Sequence, residues 1–195
     1  MLELKHSALI GGVDEAGRGP LAGDVYAAAV ILPPSYHLPG LKDSKKLSPS
    51  QRERLSRAIS EQAVSFAIAK ATVAEIENLN ILQASLLAMS RAITQLEPQP
   101  TYILIDGNQL TAQLPCPARA IIKGDATIAC ISAASILAKV ARDAEMLLLD
   151  QIYPCYDFKH NKGYGTKTHL EALRRYGYSP IHRKNFAPIK YMLSS

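Results

Sequence analysis

Residues 11–23 have the sequence GGVDEAGRGPLAG, which runs from Gly11 to Gly23. The apolar residues that lead into this stretch predict a β-strand that delivers Asp14 and Glu15 where a sheet meets solvent. Gly17 and Gly19 then allow the backbone to come within contact distance of a ligand. Arg18, between them, carries a fork of donors suited to phosphate. The stretch therefore predicts a carboxylate pair beside a ligand-binding turn.

Length and composition favour a single domain, residues 1–195, that is long enough for a substantial core. Apolar residues make up 48% of the chain and charged residues 20%, which are ordinary globular values. No apolar run reaches the roughly 18 residues of a membrane span, and the N-terminus lacks a signal-peptide pattern. We therefore expect a cytoplasmic protein without a membrane partner. We also expect a monomer.

Three cysteines, an odd number without Cys-x-x-Cys spacing, imply neither a disulfide framework nor a zinc site. We expect Cys116, Cys130 and Cys155 to be reduced and mostly buried.

The positive charge is concentrated near the C-terminus. Residues 159–190 hold eight basic side chains against Glu171 alone, which gives this part a net charge of +7. The rest of the chain carries −2, and the whole chain carries +5. Such an asymmetry suits a polyanionic partner, with interleaved aromatic residues as stacking groups. The alternative is a solvated basic helical face. On the first interpretation the segment from about 156 to 195 binds substrate, and Arg183 and Lys184 contact phosphate.

The remaining pattern predicts an α/β plan with a mixed sheet. Strands are expected at 8–13, 23–32, 64–71, 102–105 and 118–122, the fourth buried on both faces. Capping patterns that begin at Ser48 and Thr72 predict two helices, and a longer one starts at Asn80. Further helices are expected at 127–150, at 167–176 and after Phe186.

Three aspartates each follow one of these strands. If the strands of Asp14, Asp106 and Asp125 are parallel neighbours, their carboxylates converge at one sheet edge, with Glu15 as a fourth. Because neighbouring strand residues face opposite ways, Glu15 shares the site only if the strand ends there. Singly, Asp106 also suits a turn start and Asp125 a helix cap.

Four crowded carboxylates repel one another, so divalent cations are the natural counter-charge. Oxygen-only ligands indicate Mg²⁺ or Mn²⁺ rather than Zn²⁺. Asp143, in mid-helix beside Arg142, is predicted to form a structural ion pair or to support the substrate side, and not to bind metal.

Motifs along nearly the whole chain resemble those of the ribonuclease HII family, the type 2 ribonucleases H. They are Asp14-Glu15 with Gly17-Arg18-Gly19-Pro20, Asp43 to Ser48, Leu104 to Gly107, Lys123 to Asp125, Ile131 to Val140 with Arg142-Asp143, and Lys162 to Thr166. The resemblance implies a ribonuclease H-like fold: a mixed five-stranded sheet flanked by helices, with a small helical C-terminal segment. Its first three strands form an antiparallel meander, and the later two run parallel to the first.

The resemblance also implies an enzyme, an endonuclease that cuts 5′ of a ribonucleotide in an RNA–DNA hybrid or in duplex DNA that contains single ribonucleotides. Its metal ligands are Asp14, Glu15, Asp106 and Asp125, which match the four family carboxylates and hold two Mn²⁺ or Mg²⁺ ions. One ion activates a water and the other stabilises the leaving oxygen, which gives 5′-phosphate and 3′-hydroxyl ends. Asp14 is the candidate bridging ligand.

The resemblance also implies which residues contact the substrate. The backbone of Gly17, Arg18 and Gly19 recognises the 2′-hydroxyl, Tyr164 packs on the neighbouring sugar, and Lys45 and Lys46 contact phosphate. The residues around Tyr164 differ from the His-Lys-Gly-Tyr-Pro form of many members. Two alternatives remain open at this stage: another ribonuclease H-like nuclease or integrase, and a non-catalytic nucleic-acid-binding protein.

Overall fold

A five-stranded mixed sheet forms the centre of the molecule, as expected. Its strands are β1 (Ile10–Ala16), β2 (Val25–Ile31), β3 (Ser65–Ala71), β4 (Tyr102–Asp106) and β5 (Ala118–Ile121). Their order across the sheet is β3-β2-β1-β4-β5. The first three strands are antiparallel neighbours, whereas β4 runs parallel to β1 and β5 runs parallel to β4. The crossover after β3 therefore brings the ends of β1 and β4 to the same edge.

The computed structural model describes residues 8–41, 47–112 and 114–193. Its helices are α1 (Pro49–Gln62), α2 (Val73–Leu79), α3 (Ile81–Thr94), α4 (Ala129–Ile152), α5 (Phe158–Asn161), α6 (Lys167–Tyr176) and α7 (Ile189–Met192). Both predicted capping boxes are present: Ser48 and Gln51 start α1, and Thr72 and Glu75 start α2. No helix within the described ranges is long and apolar enough to span a bilayer.

Strand β1 continues past the carboxylate pair, which corrects the prediction that the strand ends at Asp14. Asp14 and Glu15 still pair with β2, opposite Ala28 and Ala27. The parallel pairing of β1 with β4, in contrast, stops at Val13. The carboxylate pair is therefore held rigidly by one neighbouring strand while its other side opens at the sheet edge.

Helices cover both faces of the sheet. On one face α2 and α3 pack against alternate residues of the strands, including Ile103 and Ile105, which are fully buried. On the other face α4 packs together with α1. Helix α4 crosses β1 closely at Gly12, where a Cβ atom would lie 2.3 Å from the carbonyl carbon of Cys130. A side chain at position 12 would push α4 away from the strand that carries Asp14.

Two burial expectations need correction. Strand β4 is not buried on both faces, because Tyr102 and Leu104 are only partly covered. Of the three thiols, Cys130 is buried, Cys116 is half-buried and Cys155 is exposed.

The C-terminal segment folds onto the turn that follows β1 instead of trailing over the surface. Phe158 of α5, Leu173 of α6 and Ile189 of α7 form a small core. Leu21, from the turn, and Met146, from α4, belong to the same cluster. This packing places the basic segment beside the glycine-rich turn.

Candidate active site

Asp14 is the most buried of the predicted acidic residues, with 5% of its surface exposed. Its Oδ1 accepts a hydrogen bond from the backbone N–H of Glu15 at 2.7 Å. Burial, followed by the negative charge of Glu15, raises the pKa of the Asp14 carboxyl well above its usual value. A hydrogen bond from Ser135 opposes this shift, and the charge of Asp106 adds to it. Asp14 thus lies where an uncompensated negative charge is unfavourable.

Asp106 and Asp125 are joined directly. Asp106 is the last residue of β4, and its Oδ1 accepts a hydrogen bond from the backbone N–H of Asp125 at 3.1 Å. Asp125 is buried in a short 3₁₀ turn, Gly124–Ala126, between β5 and α4. The hydroxyl of Ser132 on α4 donates to the backbone carbonyl of Asp125 and so ties the turn to the helix. Asp106 therefore contacts Asp125 and lies close enough to Asp14 for its charge to act on that carboxyl.

The two carboxylate oxygens of Glu15 lie in different environments. Its Oε1 accepts from Nη1 of Arg18 at 3.1 Å, an ion pair in which the arginine side chain is half exposed. Its Oε2 is buried and accepts no hydrogen bond from the described part of the chain. A buried carboxylate oxygen without a donor costs free energy and is a natural ligand for a cation.

The donor set fits a hard divalent cation, because it consists of carboxylate oxygens around a buried, mutually repelling centre. Within residues 8–41, 47–112 and 114–193, however, no three His, Cys, Asp or Glu side chains are already arranged to hold one ion. Glu15 already has one oxygen free for such an ion, because its Oε2 accepts no hydrogen bond from the described residues, whereas its Oε1 is held by Arg18.

An open cleft of about 410 Å³ borders this centre. Its lining consists of Glu15, Ala16, Gly17, Arg52, Ser135, Ile136, Lys139 and Tyr164. The lining therefore combines an acidic residue, Glu15, with an aromatic ring and two basic residues, Arg52 and Lys139, which together are called the basic wall. Sequence reasoning missed the contributions of Arg52, Ser135 and Lys139.

A signal for two of these residues was available. Ser135 and Lys139 lie four positions apart on α4 and therefore share one face of it. Arg52 gave no such signal, because only the packing of α1 against α4 brings it to the cleft. The predicted ion pair of Asp143 is confirmed: its carboxylate lies 2.5 Å from Nζ of Lys139 and 3.9 Å from Nη1 of Arg52.

The glycine-rich turn lies against Tyr164. Gly17 has φ +99°, and a Cβ atom there would lie 2.1 Å from Nε of Arg142, so the position requires glycine. A Cβ atom on Gly19 would lie 3.7 Å from Cε1 of Tyr164. The guanidinium carbon of Arg142 lies 5.9 Å from the centre of the Tyr164 ring, which it approaches as a cation–π partner. The predicted recognition turn and the predicted sugar-packing ring are therefore neighbours.

Arg183 is not available to a phosphate, which corrects the prediction for this residue. Its side chain is fully buried. The guanidinium donates to the backbone carbonyls of Gly17 (2.7 Å), Arg18 (3.1 Å), Pro20 (2.9 Å) and Gly23 (2.7 Å). Its donors thus hold the turn in place.

The other predicted phosphate contacts have different outcomes. Lys184 is exposed, and its backbone N–H donates to Oε1 of Glu77 at 3.1 Å. Lys45 and Lys46 lie outside the described residues.

Comparison with known proteins identifies consistent relatives. A family model described as Ribonuclease HII matches residues 11–189. Ribonuclease HII of Marinomonas sp. (strain MWYL1) is 57% identical over 185 residues, which cover 95% of this chain and 93% of the relative. Ribonuclease HII of Neisseria meningitidis serogroup C (strain 053442) is 56% identical over 186 residues, which cover 95% and 96%.

Solved structures agree on the fold. Ribonuclease H2 from Pyrococcus horikoshii OT3 superposes with a TM-score of 0.79 at 27% identity, over 95% of this chain and 97% of that one. Bst-RNase HIII in complex with Mn²⁺ superposes with a TM-score of 0.75 at 20% identity, over 96% of this chain and 70% of that one. The second likeness concerns the fold alone. The expected ribonuclease H-like architecture is confirmed.

Proposed function

This chain belongs to the ribonuclease HII family and is a ribonuclease H that acts on nucleic acid, and we propose that it cuts 5′ of a ribonucleotide. The substrates are RNA–DNA hybrids and duplex DNA that contains single ribonucleotides, and the products carry 5′-phosphate and 3′-hydroxyl ends. One observation carries the proposal: Glu15, Gly17 and Tyr164 line the same cleft. This shared lining supports the proposal that one bound strand contacts the acidic centre and both recognition elements.

We propose that Asp14, Glu15, Asp106 and Asp125 together hold two divalent ions. The family depends on divalent metals, and the likeness to a ribonuclease HIII solved with Mn²⁺ makes Mn²⁺ and Mg²⁺ the ions to test. When bound, such ions supply a more acidic water and positive charge for the departing oxygen. The buried position of Asp14 and the donor-free oxygen of Glu15 support this assignment.

Recognition of the ribonucleotide is assigned to the turn. Gly17 lines the cleft and Gly19 lies beside Tyr164. Because neither carries a side chain, their peptide groups can approach a 2′-hydroxyl, the group that distinguishes RNA from DNA. The Arg183 guanidinium donates to the backbone carbonyls of Gly17 and Pro20 and holds the turn in one conformation. Tyr164, which is 43% exposed, presents its ring to the adjacent sugar.

The basic wall of the cleft is the proposed path of the phosphate backbone. Arg52 and Lys139 line the same cleft as Glu15. Asp143 pairs with both and so neutralises only part of their positive charge. We retain Lys45, Lys46 and Lys184 as proposed phosphate contacts. We propose that the protein acts as a monomer, because the four proposed metal ligands, the turn and the Tyr164 ring are all supplied by a single chain.

The deciding experiment is to offer three duplexes: DNA with one ribonucleotide, a continuous RNA–DNA hybrid, and DNA alone. We expect cutting of the first two with Mg²⁺ or Mn²⁺, at the 5′ side of a ribonucleotide, and none with EDTA. End analysis should give a 5′-phosphate. Cutting of the DNA duplex, or cutting that survives chelation, would contradict the proposal.

A further inference from the structure

Two fully buried histidines form a hydrogen-bonded pair behind Tyr164. Nε2 of His169, on α6, lies 3.0 Å from Nε2 of His182. Nδ1 of His169 lies 2.9 Å from the backbone carbonyl oxygen of Tyr164. Nδ1 of His182 accepts from the backbone N–H of Ser179 at 2.9 Å. Four groups are thus joined in one row.

The row has one consistent arrangement of protons. Because the Ser179 N–H donates to Nδ1 of His182, that nitrogen is unprotonated, and the ring of neutral His182 carries its proton on Nε2. This Nε2–H donates to Nε2 of His169, which must then carry its own proton on Nδ1. The Nδ1–H of His169 donates in turn to the Tyr164 carbonyl. A second proton on either ring would place two donors face to face.

The surroundings favour the neutral form of both rings. Tyr156 lies against both histidines, with ring centres 6.2 Å from His169 and 4.7 Å from His182, and Phe158 contacts both as well. Burial lowers the pKa of both imidazoles, and that of His182 falls to about 4. Among the described residues no carboxylate forms a hydrogen bond to either ring.

The same short segment also supports the recognition turn. The backbone of His182 forms a β-bridge with Ala22, and the backbone N–H of Arg183 donates to the carbonyl of Leu21 at 2.9 Å. The Arg183 guanidinium then holds Gly17, as described above. Residues 182 and 183 therefore support both recognition elements. They contact the turn directly, and His182 reaches the backbone of Tyr164 through His169.

We infer that His169 and His182 are positioning residues, a neutral histidine relay that fixes Tyr164 relative to the turn at Gly17 and Gly19. The inference rests on the proposed function, because Tyr164 is taken to pack on the sugar that follows the ribonucleotide. The relay touches no reacting atom and acts only through the Tyr164 backbone.

The test compares single-turnover rates on a duplex with one ribonucleotide and on a continuous hybrid. His169→Phe keeps the volume and removes the donor to Tyr164, so we expect the ratio of the first rate to the second to fall by about tenfold, toward that of Tyr164→Ala. His169→Asn places an amide N–H near the position of Nδ1 and should restore most of the ratio. Tyr156→Phe, which loses a hydrogen bond to Gly177 in the same cluster, should leave it unchanged.

A ratio that stays at the wild-type value in His169→Phe would overturn the inference, and so would an equal change in Tyr156→Phe. If the wild type cuts neither ribonucleotide substrate, the proposed function fails instead. A second measurement needs no variant. ¹⁵N NMR of the wild-type rings at neutral pH should show His182 protonated on Nε2 and His169 on Nδ1, and the opposite tautomers would overturn the relay even if His169→Phe fails to fold.

Discussion

Nη2 of Arg183 donates to the carbonyl oxygen of Gly17 at 2.7 Å, across 166 positions of sequence. The same nitrogen also donates to the carbonyl of Gly23 at 2.7 Å, so one buried cation closes the turn from both ends. Burial, and then the charge of Arg142, lowers the pKa of Arg183 to about 9, which leaves it protonated at neutral pH. The C-terminal segment is therefore part of the active-site scaffold and not only a basic surface.

Replacement of Arg183 should mainly lower the stability of the folded protein, because its buried side chain holds the turn and does not present charge to a phosphate. Arg183→Gln leaves several buried carbonyls of the turn without a donor, so we expect unfolding to become easier by about 3 kcal/mol or more. Lys184→Gln, at the next position, is the matched control and should change stability by less than about 0.5 kcal/mol. Chemical denaturation of both variants measures the difference. Equal stability of the two would refute the scaffold role.

Lys184→Gln should instead alter the salt dependence of duplex binding. If Lys184 contacts a phosphate, the slope of log affinity against log salt becomes shallower by about 0.9. Binding titrations at several salt concentrations, with a duplex that lacks ribonucleotides, give this slope. An unchanged slope would assign the exposed lysine to the solvated surface.

Neutralisation of one carboxylate in the acidic centre should reduce cleavage without unfolding the protein. We expect Asp14→Asn and Asp106→Asn each to reduce cleavage by more than about a hundredfold while duplex binding persists. Because burial and nearby charge raise the Asp14 pKa, Asp14→Asn should also raise the melting temperature without metal. Asp143→Asn, which removes an ion-paired carboxylate near the cleft, is the control. Near-normal turnover in either aspartate variant would exclude the metal assignment.

The rate of cleavage at a junction between RNA and DNA should depend on the Tyr164 ring. Loss of the ring in Tyr164→Ala should cost on the order of 1–3 kcal/mol, a roughly ten- to hundredfold lower rate on a duplex with one ribonucleotide. Tyr164→Phe should be milder, because the ring makes most of the contact. Single-turnover rates on that duplex and on a continuous hybrid provide the comparison. Equal slowing of both substrates by Tyr164→Ala would contradict junction recognition.

The buried histidine pair should make stability depend on pH. The His182 pKa is about 4 in the folded chain, against 6.5 for an ordinary histidine, so the unfolded chain binds more protons between these values. Its contribution is complete above about pH 6.5 and is lost as the pH falls toward 4, by up to about 3 kcal/mol. The titratable side chains that contact His182 are His169 and Tyr156.

His182→Phe removes this titration, so its unfolding free energy should fall less steeply than that of the wild type between pH 6.5 and 4. Denaturation curves of the two proteins across this window measure the difference. Parallel curves would show that the pair does not remain neutral in the folded state.

Local sequence determined most of the secondary structure. The helices α1 and α2 begin where Ser48 and Thr72 predict, because a capping box joins residues only three positions apart. The position of Asp106 at the end of β4 was likewise predictable, since an apolar run identifies the strand, and so was the position of Asp125 shortly after the parallel strand β5. The proposal of the four carboxylates and the family resemblance thus needed no coordinates.

Tertiary structure decided which charges are available. Arg183 and Lys184 are adjacent basic residues in sequence, yet one is fully buried in the turn and the other is exposed. Burial depends on the packing of the C-terminal core against Leu21 and Met146, which is a long-range contact that local patterns do not encode. For the same reason the relay from His182 through His169 to Tyr164 became visible only when the fold brought the three residues together.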